Sequence, residues 1–107
     1  METIEKHINY KKILSMCTEE KINFVYNYTK ENLKGTNIIV EIGTFFGAMT
    51  QALKLGCDDE NKKIITCDFF SWDYDKQIKY PYKGYKNGDD FSKEVINNLS
   101  HLSNIEI

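Results

Sequence analysis

Residues 38–47 read IIVEIGTFFG, and this stretch decides the fold class. Its first five residues are β-branched and apolar except for Glu41, which is typical of a strand buried on both faces in a parallel sheet. A glycine turn follows directly at residues 43–47, and apolar residues then recur at helical spacing as far as Gly56. The stretch therefore predicts a strand, a glycine turn and a helix in immediate succession.

A second strand is predicted at residues 64–67, followed by Asp68. The polar segment 57–63 is short enough to join the helix to this strand, which completes a βαβ unit with a right-handed crossover. Downstream, Asp89 and Asp90 precede apolar residues spaced four, four and three apart, and this pattern predicts a helix capped by an aspartate. Residues 104–107 are typical of a third strand that is just beginning, so the class is α/β.

Two helices are predicted before the first strand. Apolar residues recur at roughly helical spacing over residues 4–14, and Thr18 is then a suitable N-cap for a second helix from Glu19 to about Leu33, with Gly35 as its C-cap. A chain of 107 residues is sufficient for one core. We therefore expect one domain over residues 1–107, comprising a helical lead-in (1–35) and a βαβ core (38–107).

Composition excludes several classes of protein. The net charge is -2 and the lysines are scattered, so no electrostatic footprint for nucleic acid is evident. No membrane-spanning or signal-peptide run of apolar residues occurs, and we expect a cytoplasmic protein. The three cysteines lack metal-binding or disulfide spacing, and Asp73 and Asp75 have no further ligand near them, so no metal site is predicted.

The glycine turn indicates where a ligand would bind. A helix that starts directly after a parallel strand points its free backbone N–H groups beyond the carboxyl edge of the sheet, where glycine lets a ligand approach closely. Dinucleotide-binding proteins have the pattern G-x-G-x-x-G there, whereas this turn offers only Gly43 and Gly47. NAD and FAD are therefore disfavoured.

Residues 40–47, VEIGTFFG, resemble the first motif of the class I S-adenosylmethionine-dependent methyltransferases, which is an acid at a strand end followed by glycines. The resemblance implies that S-adenosyl-L-methionine is the cofactor. It also implies that Gly43, Thr44 and Gly47 line the methionine part, and that Glu41 helps to order it directly or through water. Phe45 is expected among the cofactor-binding residues as well.

The second motif of that family is an acid at the end of the next strand, which accepts hydrogen bonds from the ribose hydroxyls. Asp68 stands at that place, and Phe69 would flank the adenine. The resemblance implies a Rossmann-like three-layer α/β/α fold, here with a partial parallel sheet of about three strands in the order 3-2-1. It further implies methyl transfer to a small-molecule or saccharide acceptor, and it identifies no catalytic residue.

Several functional interpretations stay open. The chain is expected to be a truncated or split methyltransferase half, a cofactor-binding module without turnover, or a different Rossmann-like protein. A non-catalytic interaction module is a further alternative, because an unpaired apolar edge of the first strand invites a second copy or a complementing chain. The aromatic tract 69–88 has no clear period, and we expect a long ordered loop. Its aromatic residues would form a lid over the cofactor or acceptor, simple packing or a partner surface.

Overall fold

The computed structural model describes residues 13–33, 35, 37–57 and 62–107. The helices are α1 Glu19–Asn32, α2 Ala48–Cys57, α3 Tyr74–Lys79 and α4 Ser92–Leu99, and the strands are β1 Ile38–Ile42, β2 Lys63–Cys67 and β3 Ile105–Glu106. The three strands form one parallel sheet in the order β1-β2-β3. The predicted α/β class with a three-stranded parallel sheet is therefore confirmed.

Among the described residues, other elements cover one face of the sheet and leave the opposite face of β1 exposed. The buried side chains of β2 lie on the covered face, where Thr50 of α2 contacts Glu41 of β1. On the opposite face Ile38, Val40 and Ile42 are exposed, Ile42 to 87%. The prediction that β1 is buried on both faces is therefore wrong, because an apolar run supplies side chains to both faces while the described elements cover only one.

The helical lead-in is partly as predicted. Thr18 is the N-cap of α1, and its hydroxyl accepts a backbone N–H of the first turn at 3.2 Å. The helix ends at Asn32, within one residue of its predicted end, but the predicted C-cap is wrong, since the cap is Leu33 and not Gly35. The first predicted helix covered residues 4–14, and residues 4–12 of it lie outside the described residues. Residues 13–14 are described, and they are not helical.

The aromatic tract between β2 and α4 is more regular than its sequence suggests. It contains α3 and a 3-10 turn at Pro81–Lys83, so the prediction of a loop without regular structure is wrong. A helix of six residues is too short to show a period, and Asp73 defines its start by accepting the backbone N–H of Lys76 at 2.8 Å. Trp72 is fully buried, which supports packing as the role of this aromatic ring.

Helix α4 begins one residue later than an aspartate cap would require. Phe91 is the N-cap and makes no side-chain capping bond. Asp90 instead accepts the backbone N–H of Ser92 at 2.7 Å, while Asp89 accepts that of Lys86 at 2.8 Å. The predicted aspartate cap is therefore corrected: Asp90 lies one residue before the cap and accepts a hydrogen bond from the backbone N–H of Ser92, the first residue of α4.

Two apolar clusters form the core. The first joins α1 to α2, and its buried members are Ile22, Tyr26, Ala48 and Ala52. The second lies between the glycine turn, the aromatic tract and α4, and its buried members are Phe46, Phe70, Trp72, Phe91, Val95 and Leu99. Phe46 in the glycine turn belongs to the second cluster, and Ala48 directly after the turn belongs to the first. The turn is therefore held between the two clusters.

Candidate functional site

A cleft opens where β1 and β2 end. It has a volume of about 390 Å³ and is lined by Ile42, Gly43, Cys67, Asp68 and Phe69. These residues are the last of each strand and the first of each following turn. Ligands of open parallel sheets bind in the crevice beyond the carboxyl ends of the strands, so this cleft is the candidate site.

A smaller cavity lies on the other side of the glycine turn. Its volume is about 200 Å³, and it is lined by residues 14–17, residues 43–46, Ala48 and Met49. Gly43 lines both cavities. Its φ is +94°, and a Cβ built on it would meet no atom within 4 Å. The backbone at Gly43 is thus open where the two cavities meet.

Asp68 fastens the two turns beside the cleft. Its Oδ2 accepts the backbone N–H of Phe45 at 2.9 Å, and its Oδ1 accepts that of Phe70 at 3.0 Å. Both phenylalanines have left-handed backbone conformations, with φ of 50° and 53°, which cost about 1–2 kcal/mol each. Since a carboxylate oxygen has two acceptor positions, each oxygen of Asp68 keeps one for a ligand hydroxyl.

Glu41 lies beneath the turn in a chain of threonine hydroxyls. Its Oε1 accepts from Thr50 at 2.5 Å and from Thr66 at 2.8 Å. Thr66 thereby uses its single proton, so the hydroxyl of Thr44 is the donor in its 2.5 Å contact with Thr66. The network links the strand-end acid to the turn through threonine hydroxyls.

Burial of Glu41 raises the pKa of its carboxyl above the usual value, and the nearby charge of Asp68 raises it further, against the lowering effect of the two threonine bonds. Glu41 is absent from the residues that line the two cavities. Glu41 therefore lies behind the cavity walls and, among the hydrogen bonds of the described residues, reaches the glycine turn only through the hydroxyls of Thr66 and Thr44.

The remaining predicted site residues fall into two groups. Thr44 and Phe45 line the smaller cavity, and Phe69 lines the larger one with its side chain 99% exposed. Gly47 lines neither cavity. Its φ is +97°, and a Cβ there would lie 3.0 Å from Leu99 Cδ2, so glycine is required at this position by the turn and by the packing of α4.

Some residues of the site escaped the sequence analysis. Thr66 is the parallel partner of Glu41 across β1 and β2, and the shared strand register is the signal that would have paired them. Thr50 carries no local signal, because only the packing of α2 brings it to Glu41. Cys67 and residues 14–17 line the cavities without belonging to any recognisable motif.

A second polar cluster lies outside the cleft. Glu94 of α4 accepts from Lys83 Nζ at 2.5 Å and from the Tyr85 hydroxyl at 2.9 Å. Lys83 Nζ also lies 4.5 Å from the centre of the Phe46 ring. Burial, together with the bond to Glu94, raises the pKa of Tyr85 to about 12. These contacts fasten the aromatic tract to α4.

Within the part of the chain that the structure describes, no group of three or more His, Cys, Asp or Glu side chains is arranged to hold a metal ion. Asp73 pairs with Lys76 at 2.8 Å and Asp75 with Lys79 at 3.1 Å. Over the same described ranges, no helix has the length and apolar character needed to cross a membrane.

Comparison of the chain with models of known protein families, with curated proteins and with solved structures finds no match.

Proposed function

We propose that this chain binds S-adenosyl-L-methionine across Gly43 and serves methyl transfer to a small-molecule or saccharide acceptor, as a class I methyltransferase domain with a Rossmann-like three-layer fold. The observation that carries the proposal is the pair of cavities that meet at Gly43, with the Asp68 carboxylate beside the larger one. An elongated ligand with a polar nucleoside at one end suits this arrangement.

The residues of the larger cavity fit a nucleoside. A ribose has two neighbouring hydroxyls, and the two oxygens of Asp68 each keep one acceptor position for them. The exposed ring of Phe69 offers a flat apolar surface to a base. A volume of about 390 Å³ is within the range of small-molecule sites.

The charge at the site also suits this cofactor. Glu41 and Asp68 are close enough that one carboxylate raises the pKa of the other. Two acids at one edge of the sheet favour a cationic ligand. When bound, S-adenosylmethionine supplies a methyl group on a positively charged sulfur, which makes the methyl transferable. The described residues orient the cofactor, and no described residue is assigned a catalytic role.

Calorimetric titration with S-adenosylhomocysteine tests the proposal, because this reaction product has no methyl group to transfer and binds without turnover. In Gly43→Ala the added methyl group enters the junction of the cavities while meeting no protein atom within 4 Å. Affinity should fall by at least about tenfold, or ~1.4 kcal/mol.

Gly88→Ala is the matched control for this titration. Its φ of +91° and its open surroundings match those of Gly43, but it lies outside the cavities. The two variants therefore carry the same backbone strain, and Gly88→Ala should keep the affinity of the unchanged chain. A folded chain that gives no binding heat would overturn the proposal, and equal losses in both variants would remove Gly43 from the site.

A second candidate function is a non-catalytic interaction module, which the open face of β1 favours. Ile38, Val40 and Ile42 are exposed, and β1 is the edge strand of the described sheet. Such an edge can pair with another strand, supplied by a second copy or by a complementing chain. Light scattering distinguishes the two candidates, since a chain that assembles but does not bind S-adenosylhomocysteine supports the module.

A further inference from the structure

Helix α1 has apolar side chains on two faces, and the core uses one of them. Ile22 and Tyr26 are buried in the cluster that joins α1 to α2. On another face of the helix Phe24 and Tyr28 are 61% and 51% exposed, and their stacked rings lie 6.1 Å apart between centres. Two large rings one helical turn apart form a continuous exposed apolar surface, which is typical of an interaction site rather than of a scattered apolar residue.

The charges beside these rings are arranged symmetrically. Lys21 lies three residues before Phe24, and Glu31 lies three residues after Tyr28. All four residues are exposed, and residues spaced three and four apart share one face of a helix. We call these four residues the α1 stripe. The stripe therefore carries a positive charge at one end, a negative charge at the other and two apolar rings between them.

We infer that the α1 stripe is the contact between two copies of this chain, which pack as antiparallel helices about a two-fold axis midway between Phe24 and Tyr28. In that register Phe24 faces Tyr28 of the second copy, and Lys21 faces Glu31 of the second copy. The symmetry repeats both contacts, so ion pairs flank the aromatic rings on either side. A shallow crossing angle of roughly 20° keeps these positions opposite one another along the helix.

Neighbouring features fit this register. Glu20 faces Asn32 of the second copy, so no like charges meet along the stripe. A hollow of about 630 Å³ lies beside Phe24, where α1 meets Met49 of α2. Because Tyr28 of the second copy faces Phe24, the hollow gives its ring space to pack. Charge and shape therefore both favour a second copy as the partner.

The contact is separate from the proposed function. Lys21, Phe24, Tyr28 and Glu31 line neither of the cavities that meet at Gly43. A failure to bind S-adenosylhomocysteine would therefore leave the dimer unaffected. Two helices of 14 residues each bury less than the roughly 1,200 Å² of a standard interface. We expect a reversible dimer with a Kd on the order of 100 µM.

Sedimentation equilibrium of the whole chain, from about 10 µM to about 1 mM, measures this association. Phe24→Glu should raise the Kd of the dimer by at least about tenfold, because it places a charge among the aromatic rings. Ile96→Glu is the matched control. Ile96 is 52% exposed on α4, outside the stripe, and its substitution should leave the Kd unchanged.

Exchange of the two charges tests the register. Lys21→Glu brings like charges together at both ends of the contact and should weaken the dimer by about tenfold. Glu31→Lys alone should weaken it by a similar factor. The double variant Lys21→Glu/Glu31→Lys restores both ion pairs with their signs exchanged, so it should recover the Kd of the unchanged chain.

Three results would overturn the inference. The first is an unchanged chain that stays monomeric over the whole concentration range. The second is a dimer whose Kd is unaltered in Phe24→Glu, since assembly would then run through another surface such as the edge of β1. The third is a double charge variant that associates as weakly as the single ones while its circular dichroism spectrum matches that of the unchanged chain.

Discussion

Replacing Asp68 by alanine should destabilise the folded chain even when no ligand is present. The change removes the acceptor of two backbone N–H groups, those of Phe45 and Phe70. Losing a hydrogen bond to a charged group costs about 1.5–3 kcal/mol, and the partial exposure of Asp68 favours the lower value, so the two bonds together contribute about 3 kcal/mol. Relaxation of two left-handed phenylalanines returns about 1 kcal/mol each.

The expected net loss is therefore about 1 kcal/mol of unfolding free energy, measured by urea denaturation followed by circular dichroism. Asp75→Ala is the matched control, since it makes the same substitution at an exposed ion pair with Lys79. Exposed pairs contribute about 0–1 kcal/mol. If Asp68→Ala is no less stable than Asp75→Ala, Asp68 does not hold the turns together.

Under the proposed function, a loss of S-adenosylhomocysteine affinity in Asp68→Ala would have two causes, a missing contact to the ribose and a turn that is no longer fixed. Gly43→Ala separates them, because it leaves the two hydrogen bonds of Asp68 in place. The glycine variant is therefore the sharper test of the site.

Three further predictions follow from the described contacts. Burial raises the pKa of Glu41, so the stabilisation that comes from its protonation is fully present below pH 4.5 and is lost as pH rises through the raised pKa. Glu41→Gln should therefore flatten the pH dependence of the urea midpoint above pH 4.5. An unaltered profile would contradict this. Gly47→Ala should lower the unfolding free energy by about 1–3 kcal/mol more than Gly84→Ala, as measured by urea denaturation. Both glycines have a positive φ, but only at Gly47 would the added methyl group meet a leucine of α4. Equal losses in the two variants would refute this steric conflict. Burial and the hydrogen bond to Glu94 raise the pKa of Tyr85 to about 12. Tyr85→Phe should therefore remove the transition near pH 12 from an ultraviolet titration of the tyrosines. If that transition persists, it belongs to another tyrosine.

The strand, turn and helix around Gly43 were predictable because their signals are local. A β-branched run, a glycine turn and a 3.6-residue period each depend on neighbours in the chain, and the structure has β1 at Ile38–Ile42 and α2 at Ala48–Cys57. The two acids at the strand ends were predictable as candidates for the same reason. Parallel strands bring their carboxyl ends to one edge, which places Glu41 and Asp68 near each other.

Helix α3 was missed because six residues give too little pattern and its start depends on one capping aspartate. The burial of β1 was overestimated because an apolar run does not reveal which of its faces another element covers. Ile42 is apolar by sequence and 87% exposed in the fold. Whether an apolar side chain is buried depends on which elements pack over it, and the local sequence shows only that the side chain could be buried.

The sequence by itself determined the α/β class, the βαβ unit and the place of the glycine turn, since these follow from periodicity and from the conformational freedom of glycine. Only the tertiary structure decided that Asp68 fastens two turns, that Glu41 is bound by Thr50 and Thr66, and that residues 14–17 reach Gly43. These contacts join segments distant in the chain, and their partners are selected by packing geometry, which no local pattern encodes.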